Sequence, residues 1–154
     1  MPGSTTLSNE CQKSMSTYNV NMKGDVYMAK VLVIEDNENL RFLFEGFLTD
    51  AGHNVVLAES GAQGLETLLT DPLPDVILLD LIMPDMDGST VAKNLYMDDR
   101  LSKIPIIVIS GAATFINPIP NIYSRYITKP FDLDDVLGAI DEFTGSKMII
   151  KDEA

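Results

Sequence analysis

Five short apolar runs alternate with segments of helical period along this chain, and that alternation restricts the fold more than any other feature. The runs are KVLVI at residues 30–34, HNVVLA at 53–58, DVILLD at 75–80, IPIIVI at 104–109 and RYIT at 125–128. A run that stays apolar instead of alternating with polar residues marks a strand covered on both faces. Between the runs, Leu40, Leu43, Phe44, Phe47 and Leu48 recur at helical spacing, as do Ala62, Leu65, Leu68 and Leu69, then Val91, Ala92 and Leu95, then Leu133, Val136, Leu137, Ile140 and Phe143. Asn37 and Asp132 stand where helix caps belong, and Asp71-Pro72 and Gly145 stand where helices stop. Strict strand-then-helix alternation predicts an α/β fold, a parallel sheet with helices on both faces, because right-handed crossovers place them there.

Only one stretch resists this reading. Pro118 and Pro120 in AATFINPIPNIYS forbid a long helix between the fourth and fifth strands, so the fourth helix is expected to be short or distorted. Residues 1–28, rich in Ser, Thr and Asn with no period of either kind, read as a flexible extension. Residues 29–145 read as one domain and 146–154 as a C-terminal tail.

Composition narrows the function. The 154 residues carry 23 acidic and 11 basic side chains, a formal net charge of -12, which opposes a phosphate backbone and argues against nucleic-acid binding. The single cysteine, Cys11, has no disulfide partner within the chain. No apolar stretch approaches the length of a spanning helix and no secretory signal is present, so no membrane insertion and a cytoplasmic location are expected.

The chemistry lies at the strand ends. Glu35-Asp36, Asp80, Ser110 and Lys129 each follow directly on a strand, and in a sheet of this class those carboxyl ends share one crevice. Alone, Asp80 reads as a turn or helix cap, Lys129 as a surface lysine and Tyr126 as a core-edge aromatic. Their coincidence at four ends points elsewhere. Three neighbouring carboxylates repel, and either shift their pKa values or recruit a cation, for which their hard oxygens select Mg2+. A carboxylate in such a site can act as a nucleophile toward phosphorus, with Lys129 and the Ser110 hydroxyl holding the phosphoryl oxygens. His53, at the start of a strand, reads as a structural or surface residue.

The motifs VIEDN, LLDLIMPDMDG, IVIS and YITKPF, taken together, resemble the receiver domains of two-component response regulators over residues 29–145. The resemblance implies a flavodoxin-like five-stranded sheet of order 2-1-3-4-5. It implies that Asp80 is the phosphoacceptor, that Asp36 holds Mg2+ directly and Glu35 mainly through water, and that the Ile82 backbone carbonyl completes the protein ligands. Ser110 corresponds to the hydroxyl that moves onto the phosphoryl group, Tyr126 to the aromatic switch and Lys129 to the phosphate-binding lysine. The Lys129-Pro130 bond is implied to be cis. Expected partners are a histidine kinase or histidine phosphotransfer protein as donor and a downstream protein target, with a homodimer possible. Few residues follow the last helix, so output by protein contact or onward phosphotransfer is expected.

Two departures stand out. Glu35 replaces the more usual Asp, and the stretch from Ser110 to Lys129 is shorter than the family pattern. Two other functions compete. A phosphatase of the haloacid dehalogenase type needs a second acid two residues after the nucleophile, where this chain has Ile82. A phosphorylation-independent interaction module would use residues 112–124 and leave the acidic pocket unused.

Overall fold

The computed structural model describes residues 19–20, 26–27, 29–70, 72–84, 86–111 and 123–144. Five parallel strands form the sheet: β1 (Lys30–Ile34), β2 (Asn54–Ala58), β3 (Val76–Leu79), β4 (Ile106–Ser110) and β5 (Arg125–Thr128). Their spatial order is β2-β1-β3-β4-β5, the expected one. Four described helices accompany them: α1 (Glu38–Asp50), α2 (Gly61–Thr67), α3 (Gly88–Tyr96) and α4 (Leu133–Phe143). The expected short or distorted helix falls on residues 112–122, outside the described residues.

Each helix begins at a side-chain cap that satisfies a backbone donor the helix leaves unpaired. Asn37 accepts from the Leu40 N–H at 3.0 Å, Ser60 from Gln63, Asp87 from Ser89 and Asp132 from Asp134. At the end of α1 the chain turns through Gly52 at φ 95°, a left-handed conformation that glycine adopts without steric cost.

Strand residues alternate between two cores. Leu32, Ile34, Ile77, Leu79, Ile106 and Val108 pack with Leu68, Val91, Ala92 and Leu95 on the side of α2 and α3. Val31, Val33, Val76, Leu78, Ile107 and Ile109 face the other way, against Phe44 and Leu48 of α1 and Val136, Ala139 and Ile140 of α4. Phe44 also stacks on Phe131, ring centroids 5.3 Å apart. Both faces are therefore dry, which is why these strands read as unbroken apolar runs. Each fully buried side chain of this size contributes about 1.5–3 kcal/mol.

The structure shifts several boundaries; the second helix, for one, ends at Thr67 with its C-cap at Leu68, short of the Asp71-Pro72 stop. The fourth strand begins at Ile106 instead of Ile104, because Pro105 has no N–H to give the ladder, although its carbonyl accepts from Ile77 at 3.0 Å. Within the region read as structureless, Asn19–Val20 pairs antiparallel with Val26–Tyr27. A two-residue ladder is too short to produce a readable period. Among the described residues, no helix is long and apolar enough to cross a membrane.

His53 is buried, 5% exposed, with neither ring nitrogen hydrogen-bonded, and its Nε2 lies 3.7 Å from Asp141 Oδ1. Burial pushes its pKa down, and the carboxylates of Asp141 and Asp75 offset this only in part. Below the ordinary value of 6.5 the unfolded chain therefore takes up a proton that the folded protein refuses, so stability is lost as pH falls through that window. Melting temperature measured from about pH 7 to about pH 5 is expected to fall less in His53→Leu than in wild type. A difference between the two that does not change with pH would refute the assignment.

Candidate functional site

Four strand ends meet at the carboxyl edge of the sheet. The Asp80 N–H bonds the Ile34 carbonyl at 3.1 Å, which places Asp80 one step beyond the β1–β3 ladder and beside Glu35. Glu35 is 3% exposed, and its own N–H bonds the Ala58 carbonyl at the end of β2. Asp36, the next residue, is exposed. Carboxylate oxygens of Glu35, Asp36 and Asp80 lie within 4.8 Å of one another.

Lys129 supplies the counter-charge. Its Nζ lies 2.9 Å from Glu35 Oε1 and 3.3 Å from Asp80 Oδ2, bridging two buried acids contributed by different strands. Its backbone N–H bonds the Ser110 carbonyl, which anchors the lysine at the end of the β4–β5 pairing. The other Asp80 oxygen, Oδ1, accepts from the Ile82 N–H at 3.1 Å, and Glu35 Oε2 accepts from the Asn37 N–H at 3.3 Å. Lys129-Pro130 is cis, as expected.

Protonation follows from burial and crowding. Desolvation pushes Glu35 up to about 7; Lys129 opposes that rise, and the neighbouring Asp80 and Asp36 add to it. Burial alone would depress Lys129, but its bonds to Glu35 and Asp80 outweigh burial and its pKa is raised. The ammonium is therefore charged at neutral pH. One ammonium against three carboxylates leaves the pocket with surplus negative charge. That surplus, carried by hard oxygens, suits a divalent cation such as Mg2+, and the residues present fit one.

Glu35, Asp36, Asp80 and Lys129 thus converge as the sequence predicts. Ser110 is buried at the end of β4, and the Tyr126 hydroxyl donates to its carbonyl at 3.2 Å, so the tyrosine touches the site's frame and not the carboxylates. Burial also raises the Tyr126 pKa, which keeps that hydroxyl protonated. Ile82 presents its backbone to the site while its side chain is 62% exposed. Sequence reading overlooked Arg41, whose Nη1 donates to the carbonyls of both Glu35 and Asp36 at 2.8 Å. A signal was present, because Arg41 shares a helix face with buried Phe44 and Leu48, a place for an apolar residue.

A five-stranded parallel sheet of this order, with an acidic cluster and one lysine at its carboxyl edge, is a flavodoxin-like arrangement. The chain belongs to the response regulator receiver domain family, whose model matches residues 31–141. It is a two-component signalling module and not a turnover enzyme. Among curated proteins it is similar to PilH of Pseudomonas aeruginosa, 29% identical over 120 residues that cover 74% of this chain and 96% of PilH. It is 33% identical to the DNA-binding dual master transcriptional regulator RpaA of Synechocystis over 73% of this chain. There it spans only about half of the relative, 48%. Among solved structures, chemotaxis protein CheY4 of Vibrio cholerae superposes with a TM-score of 0.68 at 25% identity, over 77% of this chain and 100% of CheY4.

Proposed function

We propose that Asp80 accepts a phosphoryl group from a phosphohistidine of a histidine kinase or phosphotransfer protein, in a Mg2+-dependent reaction, and that the chain then signals by protein contact or onward phosphotransfer in the cytoplasm. The observation that carries this reading is the Lys129 bridge between Glu35 and Asp80 inside a three-carboxylate cluster. Asp36 and Asp80 would hold the cation directly, Glu35 mainly through water, and the Ile82 carbonyl would complete the protein ligands. Bound there, Mg2+ supplies positive charge that offsets the charge on the transferring phosphoryl oxygens.

The chain's own groups do the rest. Asp80 attacks phosphorus through a carboxylate oxygen as the bond to the donor nitrogen breaks. Lys129, already 3.3 Å from Asp80, holds a phosphoryl oxygen, and the Ser110 hydroxyl donates to another. Drawing Ser110 inward disturbs the Tyr126 contact to its carbonyl, which links the site to the β5 surface. Two relatives support the setting. TrrA of Thermotoga maritima was crystallised with Mg2+-BeF, and CheAY of Helicobacter pylori, a sensor histidine kinase, is 34% identical over 82% of this chain.

The test is Mg2+ plus acetyl phosphate, read by intact mass. Wild-type protein that gains no phosphoryl group would overturn the proposal.

A pH dependence follows from Glu35. Protons compete with the cation for a carboxyl raised to about 7, so ionisation of the site, and Mg2+ affinity with it, falls as pH drops through that value. Calorimetric titration is expected to show about tenfold weaker Mg2+ binding at about pH 6 than at about pH 8. Equal affinity at both would contradict the raised Glu35.

A further inference from the structure

Arg41 lies in the second turn of α1, on the face that buries Phe44 and Leu48, and its side chain is only 15% exposed. A charge so placed is drawn out of water and must be held by fixed partners. Its partners are backbone oxygens of the acid pair. Nη1 donates to the Glu35 and Asp36 carbonyls, each at 2.8 Å, while Nη2 lies 3.9 Å from Glu59 Oε2 near the start of α2. Glu35 and Asp36 sit between the end of β1 and the Asn37 cap, outside both the strand ladder and the helix.

That segment carries an electrostatic load. Its two carboxylates and that of Asp80 crowd within 4.8 Å, and like charges so close push apart. Glu35 is held by Lys129 and by the Asn37 N–H, whereas Asp36 is exposed and is the one that repulsion would drive into solvent. Charge-assisted bonds to the two carbonyls that flank the Asp36 Cα oppose that displacement, since moving the Asp36 backbone would break them.

We infer that Arg41 is a positioning residue for the cation site: by tying down the Glu35 and Asp36 carbonyls it holds their carboxylates in a binding arrangement, without itself touching cation or phosphoryl group. The role rests on the Mg2+ reading of the site. Residues one step removed from a metal typically change affinity by about 10–100-fold when lost. A lysine keeps the charge without the planar donor geometry, so it restores the function only in part.

The experiment uses the full chain and Mn2+ as the spectroscopic probe. Electron paramagnetic resonance of the unphosphorylated protein is expected to show Mn2+ bound about tenfold more weakly by Arg41→Gln than by wild type, with Arg41→Lys in between. In phosphorylation by acetyl phosphate, the half-saturating Mg2+ concentration is expected to rise by the same factor while the maximal rate at saturating Mg2+ is retained. Glu59→Gln is expected to leave both unchanged.

Wild-type Mn2+ affinity in Arg41→Gln overturns the positioning role, as does a lost maximal rate with no shift in half-saturation. If Arg41→Gln melts below the assay temperature, Arg41→Lys decides, and an unshifted half-saturation there overturns the role. A wild-type protein that binds no Mn2+ overturns the cation-site reading itself, which separates that failure from this one.

Discussion

Asp80→Asn is expected to take up no phosphoryl group from acetyl phosphate and Mg2+ under conditions that label the wild type completely. The effect is all or none because no neighbouring acid occupies an equivalent position. Glu35 has an oxygen bonded to Lys129, but burial raises it to about 7, which leaves it the weaker supply of carboxylate. Asp36 is exposed, and neither Lys129 nor the Ile82 N–H reaches it in the way both reach Asp80. An amide in place of the Asp80 carboxylate keeps the shape but lacks the charge needed to attack phosphorus. The variant is also expected to melt no lower than wild type in the absence of metal, since it removes one charge from a repelling cluster. Intact mass and a melting curve on the same samples check both statements. A labelled Asp80→Asn protein would move the phosphoacceptor elsewhere.

Gly88→Ala is expected to destabilise the fold by about 3 kcal/mol, the upper part of the range for overpacked positions. Gly88 opens α3, and a Cβ there would stand 2.3 Å from the Asp80 carbonyl oxygen and 2.6 Å from the Leu81 Cα. Those neighbours are backbone and have no rotamer through which to move aside. The Gly88 N–H is also bonded to the Leu81 carbonyl at 2.9 Å, so relief of the clash opens that contact and displaces Asp80. Lost phosphorylation is therefore expected alongside lost stability. Gly46→Ala is the control: nothing lies within 4 Å of its Cβ position, and alanine in a helix interior is worth about 0.5–1 kcal/mol over glycine. Denaturant melts of the two variants should move in opposite directions, and a neutral Gly88→Ala would show that α3 does not abut the Asp80 backbone.

Much of the site was readable because strand ends are readable. An apolar run that stops at a polar or charged residue locates a carboxyl edge, and four such stops named Glu35, Asp36, Asp80, Ser110 and Lys129. Tyr126 and Ile82 had no signal of their own and came from family resemblance, as did the strand order. Arg41 was visible as a charge on an apolar helix face and went unread. The backbone contact that excludes a side chain at Gly88 crosses between two elements that periodicity treats separately.

The sequence by itself determined the α/β class, the approximate extent of the strands and helices, two of the four helix caps, Asn37 and Asp132, and which chemical groups stand at the strand ends. These depend on local geometry, since side-chain direction repeats every two residues in a strand and every 3.6 in a helix. Only the tertiary structure decided that Lys129 bridges Glu35 and Asp80, that Glu35 is buried while adjacent Asp36 is exposed, and that His53 is sealed from water. Distances between residues far apart in the chain are set by strand order and register, and desolvation by what packs above. Neither leaves a local period in the chain.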